Sequence, residues 1–348
     1  MAQADPYLRL ATNDGPNFSA FSFDHLRTSA QAITQASSLV NICWGAIPNY
    51  TTELGLDGSK TSFADEIWFA DSTLGAAAFV LVVNCLNFGS GYFPYIKKNA
   101  SDSGYKTVAS ALLKHFEQYW PFLPSDLCHL DAIMFLTPPA EGPSPEFKEL
   151  AALFSLALQE LGSTINERFK NSFECFIESA ESNPTNMVAT AMEMQCYRDG
   201  YRYLGLDFMP AKKAQITVSD LISLGEYLGS LGHDTGLLSF DNCTDLTAFC
   251  DNSVPHVLSR DGILDYDQAL RNHLEQGKLI DYGSQAEIEI RAATLVAVDA
   301  IAGCASEIYK SVVSAREVDA ALWNKKHHPN NRAHYRAILS HKCRSLYY

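Results

Sequence analysis

Cys-x-x-Cys pairs are missing from this 348-residue chain: its nine cysteines stand singly at 43, 85, 128, 175, 196, 243, 250, 304 and 343. That scatter excludes a zinc ribbon, argues against a disulfide framework and suits reduced thiols in a cytoplasmic protein. Positive charge is also in short supply. A formal net charge of -14 works against binding duplex DNA or RNA through its phosphates, so no stable nucleic-acid complex is expected. Long apolar runs are lacking as well: the longest, Leu74 to Leu86, is interrupted by Asn84 and falls short of a bilayer, so no membrane association is expected. The opening MAQADPYLRLATNDG has no basic region leading into an apolar run, hence no signal peptide is expected. There is no G-x-S-x-G elbow, no phosphate loop ending in G-K-[ST] and no dinucleotide fingerprint. Gly89-Ser90-Gly91 reads as a helix stop, and neither cofactor nor metal is expected. His327, His328, His334, His341 and Cys343 crowd the tail without matching a zinc template, and they read as a solvated basic tail.

What is present is a globular composition, with 47% hydrophobic and 19% charged residues. Composition does not shift at the Pro138-Pro139, Pro143 and Pro145 loop, so we expect one domain over 1–348. Residues 1 to 28 look irregular, with a turn at Asn13-Asp14-Gly15-Pro16 and with Phe21, Phe23 and Leu26 as anchors on the core. Helical spacing predicts helices over 28–43, 74–88, 104–118, 146–162 and 215–228, and further helical periods through Phe176 and over 187–194. The stripe Ile288, Ala292, Leu295, Val298 and Ala302 predicts another over 285–303. Thr51 to Asp71, polar and turn-rich apart from Ile67-Trp68-Phe69, reads as a strand pair or a covering loop. Helical patterns outnumber alternating ones, so the fold class is mainly α, with at most a small sheet.

The stretch with the most chemistry in it is LTAFCDNSVPHVLSRDGILDYD, from Leu246 to Asp267. Asp251 stands between an aromatic run and a Val-Pro break, where the chain bends. On its own, an Asp ahead of Asn-Ser is a turn or helix cap. With Lys212-Lys213-Ala214-Gln215-Ile216, Glu287-Ile288-Glu289-Ile290-Arg291, Leu86-Asn87-Phe88, Tyr197-Arg198-Asp199 and the terminal Tyr347-Tyr348, it falls in an order that resembles the queuosine salvage family. The members of that family are N-glycosidases that release queuine from queuosine 5'-phosphate for reuse in tRNA. This chain departs from the family pattern in four places. Asn84 replaces the usual Asp, Gly89-Ser90-Gly91-Tyr92-Phe93 replaces an aromatic segment, Asn252-Ser253 replaces Tyr-Arg, and His256 replaces Gln.

The resemblance implies a single helical domain similar to helical DNA glycosylases and a small nucleotide as substrate. It implies Asp251 as the catalytic carboxylate, stabilising a cationic sugar and taking a proton from water. Asp245 is a second carboxylate candidate. Lys212 and Lys213 are placed for a 5'-phosphate, or else form a solvated pair at a helix start. Asn84, Asn87 and Phe88 share one helix face and offer edge hydrogen bonds and stacking to a base, or else cap a helix end. Tyr92 and Phe93 occupy the segment where the family stacks its base, and Asp199 can lend charge to the pocket. Glu287 and Arg291, four apart, read as a pair on a helix surface. Two alternatives remain: the same hydrolysis on another 7-deazaguanine-type nucleotide, and a nucleotide-binding protein without turnover. The oligomeric state is not legible.

Overall fold

In the computed structural model, residues 5–9, 15–56, 69, 71–98, 103–336 and 340–348 are described. Ile67-Trp68 and Asn13-Asp14, read above as strand or loop and as turn, lie outside them. The fold is mainly α, and its only sheets among the described residues are two antiparallel pairs. Seven helices begin at a serine whose hydroxyl accepts an amide hydrogen of the first turn: Ser22, Ser72, Ser103, Ser144, Ser172, Ser284 and Ser314 all do this. Such caps satisfy otherwise unpaired N–H groups and fix where each helix starts.

The chain divides into two compact units. The first comprises Met1–Thr61, Gly200–Lys212 and Thr244–Arg344. Its axis is the helix Gln285–Tyr309, buried on nearly every side from Ala286 to Val298. The helices Phe23–Ala36, Ile47–Leu54 and Ala315–His327 pack on it. Strand Val40–Ile42 pairs with Leu264–Tyr266 in the register Val40 to Tyr266 and Ile42 to Leu264, and Tyr201–Tyr203 pairs with Leu206–Phe208. The segment expected as a helix over 28–43 is therefore two elements. The Ser22 cap starts a helix earlier, at Phe23, and after Ala36 the alternation of Val40 and Ile42 favours a strand with both side chains buried. Phe21, Phe23 and Leu26 are buried as expected, although the helix from Phe23 makes the end of the supposedly irregular segment regular.

The second unit comprises Ser62–Asp199, Lys213–Cys243 and Ser345–Tyr348. Its centre is the helix Thr73–Cys85, in which every residue from Gly75 onward is buried. Helices Gly104–Tyr119, Pro145–Arg168 and Phe173–Glu178 pack on it. Pro145–Arg168 also packs on the short helix Pro124–Leu127, and a Cβ at Gly162 would meet the Pro124 carbonyl oxygen at 2.5 Å, so glycine lets these backbones approach. The helix expected to run to Phe88 stops at Cys85, and Asn87 and Phe88 lie in the irregular chain beyond it. Gly89 there has φ +100°, and its N–H donates to the Tyr348 carbonyl at 3.2 Å.

Candidate active site

Asp251 belongs to the first unit, at the end of a buried irregular segment, Leu246–Cys250, and just ahead of the helix Val254–Arg260. Its Oδ1 accepts the Ser253 N–H at 2.5 Å, an Asx turn that produces the expected bend. The two residues before it are tied from opposite sides. Phe249 N–H donates to Asp319 Oδ1 at 2.8 Å, and the Cys250 carbonyl accepts Arg291 Nε at 2.8 Å. Asp251 itself stays half-buried, on a backbone that cannot swing without breaking both bonds.

Arg291 and Glu287 are not a surface pair, contrary to the expectation from their spacing. Both side chains are fully buried, and Arg291 Nη1 meets Glu287 Oε1 at 3.2 Å. The Tyr201 hydroxyl donates to Glu287 Oε1 at 2.5 Å and accepts from Arg291 Nη1, while Gly283 N–H donates to Glu287 Oε2 at 3.1 Å. Glu289, on the same helix, accepts from Ser37 Oγ, Ser38 N–H and Leu39 N–H at 2.5, 3.1 and 2.9 Å. A buried ion pair survives only when its remaining lone pairs and protons are satisfied, and here the backbone and Tyr201 satisfy them. The Glu-Ile-Glu-Ile-Arg motif thus works as a clamp, one arm of which holds the peptide that leads into Asp251.

Helix Ala315–His327 adds two groups that the sequence reading did not single out. Asp319 is 5% exposed, and burial, reinforced by the negative charge of Asp251, pushes its carboxyl up to about 7. The Phe249 N–H and the charge of Lys212 oppose that rise. Lys326 Nζ donates to Ser253 Oγ at 3.1 Å, and burial lowers its pKa against the pull of Asp251. The available signal was spacing: Asp319, Leu322 and Lys326 follow one another at i, i+3 and i+7, on the flank of the stripe that buries Val318 and Leu322. Asp245, the candidate for a second carboxylate, is exposed at the 3-10 turn Cys243–Asp245, where its carbonyl accepts Arg27 Nη2 at 3.0 Å. The buried carboxylate beside Asp251 is Asp319. His256 is buried with Nε2 donating to the Tyr335 carbonyl at 2.8 Å, and burial drops its pKa to about 4, so it is a neutral ring at pH 7.

Lys212 and Lys213 open the helix Lys212–Ser230 and are 2% and 1% exposed, which overturns the solvated pair. Lys212 acts on Asp319 in the first unit. In the second unit, Lys213 Nζ donates to the Cys85 carbonyl at 2.9 Å and stands 4.5 Å from the Phe88 ring centroid and 5.0 Å from that of Tyr197. A cation at the C-terminal end of Thr73–Cys85 complements the helix dipole, and the two rings hold the amine in place.

The remaining expected residues also lie in the second unit. Asn84 is fully buried, its Nδ2 donating to Asp220 Oδ2 at 2.7 Å, and Asn87 Nδ2 donates to Asn84 Oδ1 at 3.2 Å. Phe88 is 2% exposed and meets Phe154 edge-on at 4.8 Å. With Lys213 above it and Phe154 at its edge, Phe88 is a core ring rather than an open stacking face. Tyr92 is likewise buried, its N–H donating to the Gly89 carbonyl at 2.9 Å. Phe93, half-buried, starts the 3-10 turn Phe93–Tyr95. Asp199 is buried with its N–H donating to the Tyr197 carbonyl at 2.7 Å, and Arg198 donates to the carbonyls of Met192 and Glu193.

The tail is not uniformly solvated: His341 and Cys343 are buried, and burial pushes the His341 pKa down to about 3. Among the described residues no group of three or more His, Cys, Asp or Glu side chains is arranged to hold a metal ion. No helix among them is long and apolar enough to cross a membrane.

Comparison with known proteins gives a consistent result. A family model described as "Queuosine salvage protein" matches residues 68–348. The chain is 31% identical over 291 residues to a protein of Sphaerobacter thermophilus named queuosine 5'-phosphate N-glycosylase/hydrolase, a match covering 81% of this chain and 84% of that one. Proteins of the same name from Bos taurus and Dictyostelium discoideum are 27% identical over 199 residues and 30% identical over 169. Those matches cover 55% and 48% of this chain and 56% and 50% of the relatives.

Proposed function

Because the chain belongs to the queuosine salvage protein family, we propose that it hydrolyses the N-glycosidic bond of queuosine 5'-phosphate, releasing queuine for return to tRNA. The observation that carries this reading is the fixing of Asp251 by bonds to the two residues before it, Phe249 N–H to Asp319 and Cys250 carbonyl to Arg291. Hydrolysis of an N-riboside passes through an oxocarbenium-like state, which a fixed anion stabilises without reorganising. Asp251 supplies that anion and takes the proton of the attacking water. Arg291 and Glu287 stand behind it and hold its backbone still.

Lys212, buried and close enough to act on Asp319, is the cation we assign to the 5'-phosphate. Lys213 holds the end of Thr73–Cys85. Asn84 with Asn87, bonded to each other and to Asp220, are the polar groups assigned to the base edge, with Phe88, Tyr92 and Asp199 supporting them. The substrate is a free nucleotide, and the enzyme works in the cytoplasm without a cofactor.

The test is chromatographic detection of base release from queuosine 5'-phosphate by the full chain, beside Asp251→Ala and a panel of other nucleoside monophosphates. Release of queuine that falls roughly 10²–10⁴-fold in the variant is the expected result. Release from a different 7-deazaguanine nucleotide alone would keep the reaction and replace the substrate. Binding without any release would refute the hydrolase.

A further inference from the structure

We propose that Lys326 positions Asp251 for the hydrolysis, holding through the Ser253 hydroxyl the turn that fixes the carboxylate. The inference rests on the hydrolase reading above and adds to it a residue that acts only through another. Asp251, Asn252, Ser253 and Lys326 all belong to the first compact unit. Lys326 comes from the last turn of the helix Ala315–His327, and its Nζ donates to Ser253 Oγ at 3.1 Å. The Ser253 N–H in turn donates to Asp251 Oδ1 at 2.5 Å. Two hydrogen bonds thus join the amine to the carboxylate by way of one residue.

Ser253 differs from the seven serines that cap helices. It precedes Val254–Arg260 in a helical conformation, φ -88° and ψ -53°, and its hydroxyl caps no N–H of that helix. A hydroxyl has one proton to give and lone pairs to offer. Here the lone pair takes Lys326 Nζ, and the proton goes to Asn252 Oδ1 at 3.4 Å. Ser253 is buried, so bulk water does not compete for these contacts. The neighbouring cations are engaged elsewhere: Lys325 with Asp261 Oδ2 at 2.7 Å, Arg291 with Glu287 and the Cys250 carbonyl, and Arg260 with the His334 carbonyl. Among the described residues Lys326 forms no ion pair, and the Asp251 charge favours its protonated form.

The carboxylate is left with one oxygen fixed and one presented. Ser253 holds Oδ1, and among the described residues Oδ2 accepts no hydrogen bond. A base that takes a proton from water must keep its free oxygen within hydrogen-bond reach. A displacement of about 1 Å costs on the order of 10²-fold in rate. The bonds to Phe249 and Cys250 hold the backbone before Asp251, and Lys326 holds the turn after it. No proton passes through Lys326, and no bond to it forms or breaks.

The test is the rate of base release from queuosine 5'-phosphate by the full chain and by Lys326→Met, Lys326→Arg, Ser253→Ala and the double variant Lys326→Met with Ser253→Ala. Lys326→Met should lower kcat roughly 10- to 10²-fold while KM changes less than about threefold, and Lys326→Arg, which keeps a charged donor, should recover most of the loss. Ser253→Ala keeps the backbone N–H and removes the hydroxyl. It should cost about as much as Lys326→Met, and the double variant should be no slower than either, because both break one chain of contacts. Losses that multiply in the double variant would overturn the proposal. A raised KM at unchanged kcat would also overturn it and make Lys326 a substrate-binding cation. Should Lys326→Met fail to fold, Ser253→Ala decides: a loss of kcat at unchanged KM supports the proposal, and a wild-type kcat overturns it. No base release by the wild type would sink the hydrolase reading and this one with it, whereas wild-type release that neither substitution slows sinks this one alone.

Discussion

Replacing Asp319 by Asn should change how stability depends on pH, by an amount that follows from its burial. The carboxyl has an ordinary value of 3.8 and is held at about 7 in the folded protein, chiefly by burial. Between those values the folded chain binds a proton that the unfolded chain has released, so stability is fullest below pH 3.8 and declines as pH rises to about 7. At 1.36 kcal/mol per pH unit, the difference of about 3 units between 3.8 and 7 makes the decline ~4 kcal/mol. Asn is neutral throughout and its side-chain oxygen can still accept the Phe249 N–H. The variant should therefore match the wild type near pH 4 and exceed it at pH 8 by up to ~4 kcal/mol, read by urea denaturation of both proteins at pH 4, 6 and 8. A stability difference that stays flat across that range would refute the account of Asp319 as a carboxyl held neutral by burial.

Three further outcomes follow from buried polar contacts. Arg291→Met leaves Glu287 charged and fully buried and should cost about 3–5 kcal/mol at pH 7; adding Glu287→Gln should recover part of that loss in the same denaturation series, and a lack of recovery would argue against the pair as the cause. Lys213→Met removes the bond to the Cys85 carbonyl and the cation beside Phe88 and Tyr197, for an expected loss of roughly 2–3 kcal/mol, measured as a fall in denaturation midpoint. Asn84→Asp, which restores the residue type expected of the family, sets a carboxylate where an amide now donates to Asp220 Oδ2 at 2.7 Å. Like-charge repulsion at that distance should destabilise the protein more at pH 8 than at pH 5, and thermal melts at the two values will detect it.

Local signals sufficed for the elements. Helical apolar spacing, the stripe of 285–303 and the proline loop ahead of the helix Pro145–Arg168 mark helices that the structure contains, and a mainly α fold with only small sheets follows from them. Ordered motifs sufficed for the family. Asp251 was visible as a catalytic candidate through the resemblance, since on its own it reads as a turn residue, and the bend is made by its own side chain.

Burial was decided elsewhere. Glu287 and Arg291 satisfy the rule for a surface pair, yet they lie inside, because Tyr201 and the Cys250 carbonyl arrive from distant parts of the chain to complete their hydrogen bonds. Lys213 resembles any lysine at a helix start until Cys85, Phe88 and Tyr197 close round it. The strand Val40–Ile42 needed its partner Leu264–Tyr266 to win over helix. Asp319 came to notice only through the Phe249 N–H and the charge of Asp251, 68 positions away in the sequence. A sequence states charge and spacing, whereas the dielectric around a charge and the partners it meets belong to the packed chain. The carboxylate that bends the backbone could be found from the one, and the carboxylate raised by burial only from the other.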